Sequence, residues 1–138
     1  MFNIDSSINF LLAKCHQKAF ALFKENLEPY HLTPPQFATL AFLWKKDCIN
    51  QIQLGELMGV DRTTISGIVD RLERGGLVER GADPMDRRSC MLSLTEKGRS
   101  LQDELAPIAA DINQSLAKNL SQDEVELLVE MLKKIRFS

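Results

Sequence analysis

The tightest constraint on this chain lies between Ile52 and Leu94, where the spacing of apolar residues changes character within a few turns. A short helical stretch is read from about Ile52 to Met58, with Leu54 and Leu57 directed inward. Gly59-Val60-Asp61 interrupts it, and Asp61 is placed to cap a second helix running from about Arg62 to Arg74. Gly75-Gly76 stops that helix as a left-handed cap would. The period then drops to two. Leu77-Val78-Glu79-Arg80 and the run from Ser89 to Leu94 read as strands, and Gly81 to Arg88 as a long charged loop at a hairpin tip. Helix, short glycine turn, helix and hairpin together define a helix-turn-helix carrying a wing.

Helices flank this unit on both sides. Ile8, Leu11, Leu12, Cys15, Ala19, Leu22 and Phe23 repeat at helical spacing, with Asp5 or Ser6 as the expected cap and an end before Pro29. Thr33-Pro34-Pro35-Gln36 is a helix start, followed by Phe37, Leu40, Ala41 and Trp44 on one face to about Lys46. Thr95 opens a helix that reaches about Lys118, with Pro107 expected to bend it. Ser121-Gln122-Asp123-Glu124 is a capping box before a last amphipathic helix. The fold class is therefore mainly α: six helices plus a two-stranded β-hairpin wing, in one domain over 1–138. The winged unit occupies about 33–98.

Composition narrows the function classes. Hydrophobic residues at 44% and charged residues at 26% exclude a disordered or collagen-like chain. The densest apolar stretch, Phe37 to Trp44, is far short of a membrane span, and no basic stretch opens a secretory signal. Cys15, Cys48 and Cys90 are widely spaced and form no CxxC pair, which predicts neither a disulfide framework nor a zinc site and fits a reducing cytoplasm. No GxSxG, HExxH or phosphate-binding glycine loop is present, and His16 and His31 lack a paired carboxylate, so no enzyme, cofactor or metal centre is expected.

The net charge of −2 argues weakly against nucleic acid, but its distribution argues the other way. Arg62, Arg71, Arg74, Arg80, Arg87 and Arg88 fall in one short segment without a lysine, against five carboxylates. Arginine's planar fork suits phosphates and guanine edges. At about 100° per residue, Ile65, Ile68, Val69 and Leu72 form the inward stripe of the second helix. The outward side then carries Thr63, Gly67, Asp70 and Arg74, flanked by Arg62, Thr64, Ser66 and Arg71. A recognition helix uses its N-terminal half in the major groove of double-stranded DNA, which assigns Arg62, Thr63, Thr64, Ser66 and Gly67 to base edges and nearby phosphates. Arg71 and Arg74 are assigned to phosphates. At the hairpin tip, Asp86-Arg87-Arg88 supplies an arginine able to enter the minor groove, with a carboxylate two residues away to hold it.

The segment from Val60 to Arg80 resembles the recognition helix and first wing strand of the MarR family of winged helix-turn-helix transcriptional regulators. Asp83-Pro84-Met85-Asp86-Arg87-Arg88, followed by Leu92-Ser93-Leu94-Thr95-Glu96-Lys97-Gly98, resembles that family's wing signature, an Asp-x-Arg and then Leu-Thr-x-x-Gly. Leu32-Thr33-Pro34-Pro35-Gln36-Phe37 matches its entry into the second helix. The resemblance implies a helical dimer with one winged helix per subunit, Arg88 as the minor-groove residue and Asp86 as its orienting partner. Apolar stripes at both ends must bury against something. A homodimer through the helices at about 5–28 and 100–138 would cover them and set two recognition helices about one DNA turn apart on a pseudo-palindromic operator.

Members of the family respond to small phenolic or lipophilic acids, or to oxidation of a thiol. The resemblance places a ligand crevice between the dimer helices and the winged helix, with His16, Tyr30, His31, Phe37 and Trp44 as candidates. Each is also readable as ordinary packing. Cys15 is the candidate thiol, beside His16, although the family's reactive cysteine lies about a turn and a half earlier, nearer Asn9. As a residue on an apolar stripe, Cys15 also reads as a small buried hydrophobe. A repressor released by a small acid is the first expectation. A thiol sensor of the same fold is the second, and a protein-docking winged helix the third. Docking faces want aromatic anchors, which this arginine-rich surface lacks.

Overall fold

The computed structural model describes residues 1–138. A 3-10 turn at Ile4–Ser6 leads into helix α1 (Ile8–Leu27), and a second 3-10 turn (Glu28–Tyr30) turns the chain into α2 (Pro34–Lys45). Then follow strand β1 (Ile49–Asn50), α3 (Gln51–Met58), α4 (Arg62–Arg74), β2 (Val78–Ala82), β3 (Cys90–Leu94), α5 (Glu96–Leu116) and α6 (Gln122–Arg136). The three strands form an antiparallel sheet in the order β1-β3-β2. β1 pairs Ile49 with Leu92, and β2 pairs Arg80 with Leu92 and Ala82 with Cys90.

Several helix ends follow directly from side-chain chemistry. Thr33 accepts from the Gln36 N–H at 3.3 Å, and Gln36 accepts from the Thr33 N–H at 3.1 Å, a reciprocal box that starts α2. Ser121 and Glu124 repeat the device at the start of α6. The expected cap of α1 is corrected: Ser7 occupies that position without a side-chain bond, and Asn3 caps the 3-10 turn in which Asp5 and Ser6 lie. Gly76, at φ +73°, is the left-handed residue after α4, whereas Gly75 stays right-handed at φ −77°. The Leu77 N–H then reaches the Leu72 carbonyl at 3.0 Å, the closing bond of a Schellman turn. The wing strands begin one residue later than expected, and the first continues to Ala82. α5 starts after Thr95, which caps it, runs through the exposed Pro107 and ends at Leu116, short of Lys118.

The core lies where α1, α2, α4, α5 and the sheet converge. Leu27, Leu40, Leu43, Leu54, Ile65, Leu72, Leu92 and Leu105 are fully buried. Leu57, expected inside, faces outward at 48% exposure: the face of this short helix turned inward is that of the buried Leu54 and of Gly55, which lies close against Ile65. The buried Thr39 hydroxyl is satisfied, donating to the Pro35 carbonyl at 2.8 Å. α1 is covered only toward its C-terminal half: Ala19, Leu22 and Phe23 are half-buried, while Ile8, Leu11 and Leu12 are exposed. α6 buries no residue at all.

Candidate nucleic-acid interface

α4 is fastened at both ends with one face free. Ile65, Ile68, Val69 and Leu72 are all buried, as their spacing requires. That rotation leaves Arg62, Thr63, Thr64, Asp70, Arg71 and Arg74 exposed, with Ser66 and Gly67 half-buried between them. At the N-terminus the Asp61 carboxylate accepts from the Thr64 N–H at 2.7 Å. Hydrogen bonding from Thr64 holds the Asp61 carboxyl below its ordinary range. A Cβ added to Gly67 would meet nothing within 4 Å, so no internal packing requires glycine there.

The wing brings its own charges into order. Arg88 donates from Nε to Asp86 Oδ1 at 3.1 Å and from Nη2 to Asp86 Oδ2 at 3.3 Å, and its backbone N–H adds a bond at 3.0 Å. These bonds hold the Asp86 carboxyl below its usual range. Arg88 nevertheless keeps 78% of its side chain exposed, and Arg87 is exposed beside it. The expected pairing of Asp86 with Arg88 is thus present as hydrogen-bond geometry.

Two anchoring roles were not read from the sequence, that of Asn50 and that of Arg80, which counted there only as one of six clustered cations. Asn50 donates to Asp83 Oδ2 at 2.6 Å and accepts from the Ser89 hydroxyl at 3.1 Å. Its Oδ1 also caps α3 through Ile52 N–H at 2.8 Å, so one buried amide ties the wing base to the first helix of the motif. An Asn just before a helix is a readable cap signal; the strand it sits on, two residues long, is not. Arg80, on β2, donates to Gln51 Oε1 at 3.0 Å, to the Ser66 carbonyl at 3.0 Å, to Glu73 at 3.2 Å and to Asp70. Asp70, expected among the DNA-facing residues, is therefore engaged within the fold by Arg80, and Arg74 reaches back to the Asp70 carbonyl at 3.4 Å.

The candidate effector residues separate into two groups. Tyr30 and His31 line a crevice of about 450 Å³ together with Gln36, Arg71, Leu72 and Lys97, between the turn after α1, the end of α4 and the start of α5. His16 lines an open groove of about 420 Å³ along α1 with Phe20 and Lys24. Phe37 and Trp44 line neither. The Phe37 ring packs between Phe23, tilted at 5.7 Å, and Trp44, edge-on at 5.8 Å, and the indole N–H of Trp44 donates to the Gly98 carbonyl at 2.9 Å. They form a packing spine joining α1, α2 and α5, since a large ring with one polar atom is best spent where both are satisfied. Cys15 lies exposed on the uncovered part of α1, not buried as its place on an apolar stripe suggested.

A helix-turn-helix whose second helix presents small polar and cationic side chains, next to a wing tipped by an oriented arginine, is the architecture of a winged-helix transcriptional regulator. Residues 32–90 match the MarR family. The chain is 33% identical over 134 residues to the HTH-type transcriptional repressor NicR of Pseudomonas putida, covering 97% of this chain and 85% of that one. It superposes on an Escherichia coli MarR variant solved with operator DNA at a TM-score of 0.86 and 32% identity, covering 98% of this chain and 97% of the other. Against Bordetella bronchiseptica BpsR, studied for regulation of its DNA binding by 6-hydroxynicotinic acid, the TM-score is 0.91 at 28% identity, over 100% and 99% of the two chains. The chain belongs to the MarR family of winged helix-turn-helix transcriptional regulators. No helix is long and apolar enough to cross a membrane.

Proposed function

We propose that this chain is a sequence-specific, DNA-binding repressor, not an enzyme, that holds a pseudo-palindromic operator as a homodimer in the cytoplasm and releases it when a small aromatic or lipophilic acid binds. The observation that carries the reading is that the motif presents two exposed cationic elements, one on α4 and one on the wing. α4 offers Arg62, Thr63, Thr64, Ser66 and Gly67 at its N-terminal half and Arg71 and Arg74 at its end, and the wing offers Arg87 and an Asp86-braced Arg88. The first set fits the major groove and its phosphates, the second the adjacent minor groove. The relatives named above support the direction, as a repressor, a complex with operator DNA and control by a nicotinic acid derivative.

The crevice beside Tyr30 and His31 supports release by an acid. Arg71 and Lys97 sit on its wall, so an anion there competes with DNA phosphate for Arg71. Fluorescence anisotropy on a labelled random duplex tests the core of the reading. Affinity should fall steeply with salt, with a log–log slope of about −4 or steeper for the several phosphates contacted. A panel of phenolic and nicotinic acids should lower affinity at fixed salt. No binding at low salt contradicts the function. Indifference to every acid together with release by peroxide would instead favour thiol control, for which the exposure of Cys15 is the supporting observation.

A further inference from the structure

Arg80 makes a set of contacts that neither its position on a strand nor its charge explains. Its side chain is only 22% exposed, yet the guanidinium serves four acceptors on two helices. Ser66, Asp70 and Glu73 lie at i, i+4 and i+7 of α4, one continuous edge beside the outward face, and the fourth acceptor, Gln51, opens α3. A guanidinium is the one side chain whose fixed fork can satisfy such a set at once. Asp70 and Glu73 keep about half their side chains exposed, at 51% and 44%. Left unpaired, both carboxylates would stand at the edge of the surface meant for phosphate and repel it.

We infer that Arg80 is the positioning residue of the DNA-reading surface: it locks the wing to the recognition helix at a fixed angle and neutralises Asp70 and Glu73. Direct contact with DNA is not its role, because four of its five N–H donors are already committed within the fold. Readout of an operator requires α4 and Arg88 to reach two grooves in the same register, so a loose wing loses operator affinity before it loses general attraction to phosphate. The inference rests on the proposed function.

The test compares operator and random-duplex affinity by anisotropy for wild type, Arg80→Met, Arg80→Lys and Arg74→Met, with the operator taken from selection on the wild type. Arg80→Lys keeps the charge but loses the fork. It should lower operator affinity by about tenfold or more and random-duplex affinity by less than about threefold. Arg80→Met also strips the neutralising charge from Asp70 and Glu73, so it should lower operator affinity further and random-duplex affinity as well. Arg74→Met, which removes an exposed cation, should lower both affinities by a similar factor. Where Arg80→Met fails to fold, Arg80→Lys decides alone. Parallel loss on both duplexes, or no loss, for Arg80→Lys overturns the positioning role while leaving the DNA-binding function intact. A wild type that binds neither duplex overturns the function itself, and this inference with it.

Discussion

Single residues on the outward face of α4 were readable because a buried stripe fixes the helix rotation. Once Ile65, Ile68, Val69 and Leu72 point in, the remaining positions have no choice. Gly67 gives a clean prediction from this. With no atom near its missing Cβ, Gly67→Ala should raise stability by about 1 kcal/mol in chemical denaturation through helix propensity. It should weaken operator binding at the same time, because a methyl group then stands between the helix and the base edges. Better stability with unchanged binding would mean that Gly67 does not approach DNA. Arg88→Ala should lower operator affinity by roughly tenfold or more and erase the A·T preference at the flanks, read by anisotropy on flank variants. The acid limb of stability carries a sign as well. Asp61 and Asp86 both have carboxyls held below the ordinary value of 3.8. Their contributions are complete above that value and are lost only as pH falls through the lower folded values. Amide chemical shifts of Thr64 and Arg88 should therefore stay flat from pH 8 to about 5 and move only below about 4. What was not readable at this scale was Arg80, because a strand arginine reads as one more cation until the fold brings Ser66, Asp70 and Glu73 beneath it.

At the scale of elements, the Leu-Thr-x-x-Gly run after the wing has a mechanical explanation. Thr95 accepts from the Gly98 N–H at 3.0 Å to start α5, while its hydroxyl donates to the Gly76 carbonyl at 2.6 Å. Its own N–H reaches the Leu77 carbonyl at 3.1 Å, and Lys97 donates to the Gly75 carbonyl at 3.3 Å. The last turn of α4 and the first turn of α5 are thus one knot. Glycine at 98 is required because any Cβ there would collide with the Leu77 carbonyl oxygen. Gly98→Ala should lower stability by about 1–3 kcal/mol in urea despite the gain in helix propensity. An increase would show that the two helices can slide apart freely. The six helices were legible because each carries a 3.6-residue apolar period and most carry a cap. β1 was not, since Ile49–Asn50 has no alternation and forms only because β3 offers a free edge. The fates of Phe37 and Trp44 were equally out of reach: an aromatic pair spaced for one helix face looks alike lining a crevice or filling a core.

The whole molecule is incomplete as one subunit. Leu127, Leu128, Val129, Met131, Leu132, Ile135 and Phe137 are exposed along α6 and just beyond it, and Phe2, Ile4, Ile8, Leu11 and Leu12 at the other end of the chain. Uncovered apolar stretches of that kind at both ends of the chain point to an interface. Arg136 ties α6 to the helix-turn-helix, its Nη2 donating at 2.7 Å to the carbonyl of Leu57 near the end of α3. Sedimentation at micromolar concentration should give a dimer, and Leu128→Glu with Leu132→Glu a monomer that no longer discriminates operator from random sequence. The need for a partner was legible in the sequence from two apolar stripes left over by one winged helix; the partner's placement was not, because no residue spacing encodes a symmetry axis. The central claim, that two such subunits hold one duplex with a helix and a wing each, is tested most directly by selecting bound sequences from a random duplex library. Two inverted half-sites with centres about one helical turn, roughly 10 base pairs, apart and A·T-rich flanks are the predicted result. Recovery of a single unpaired half-site, or of no enriched sequence, would contradict it.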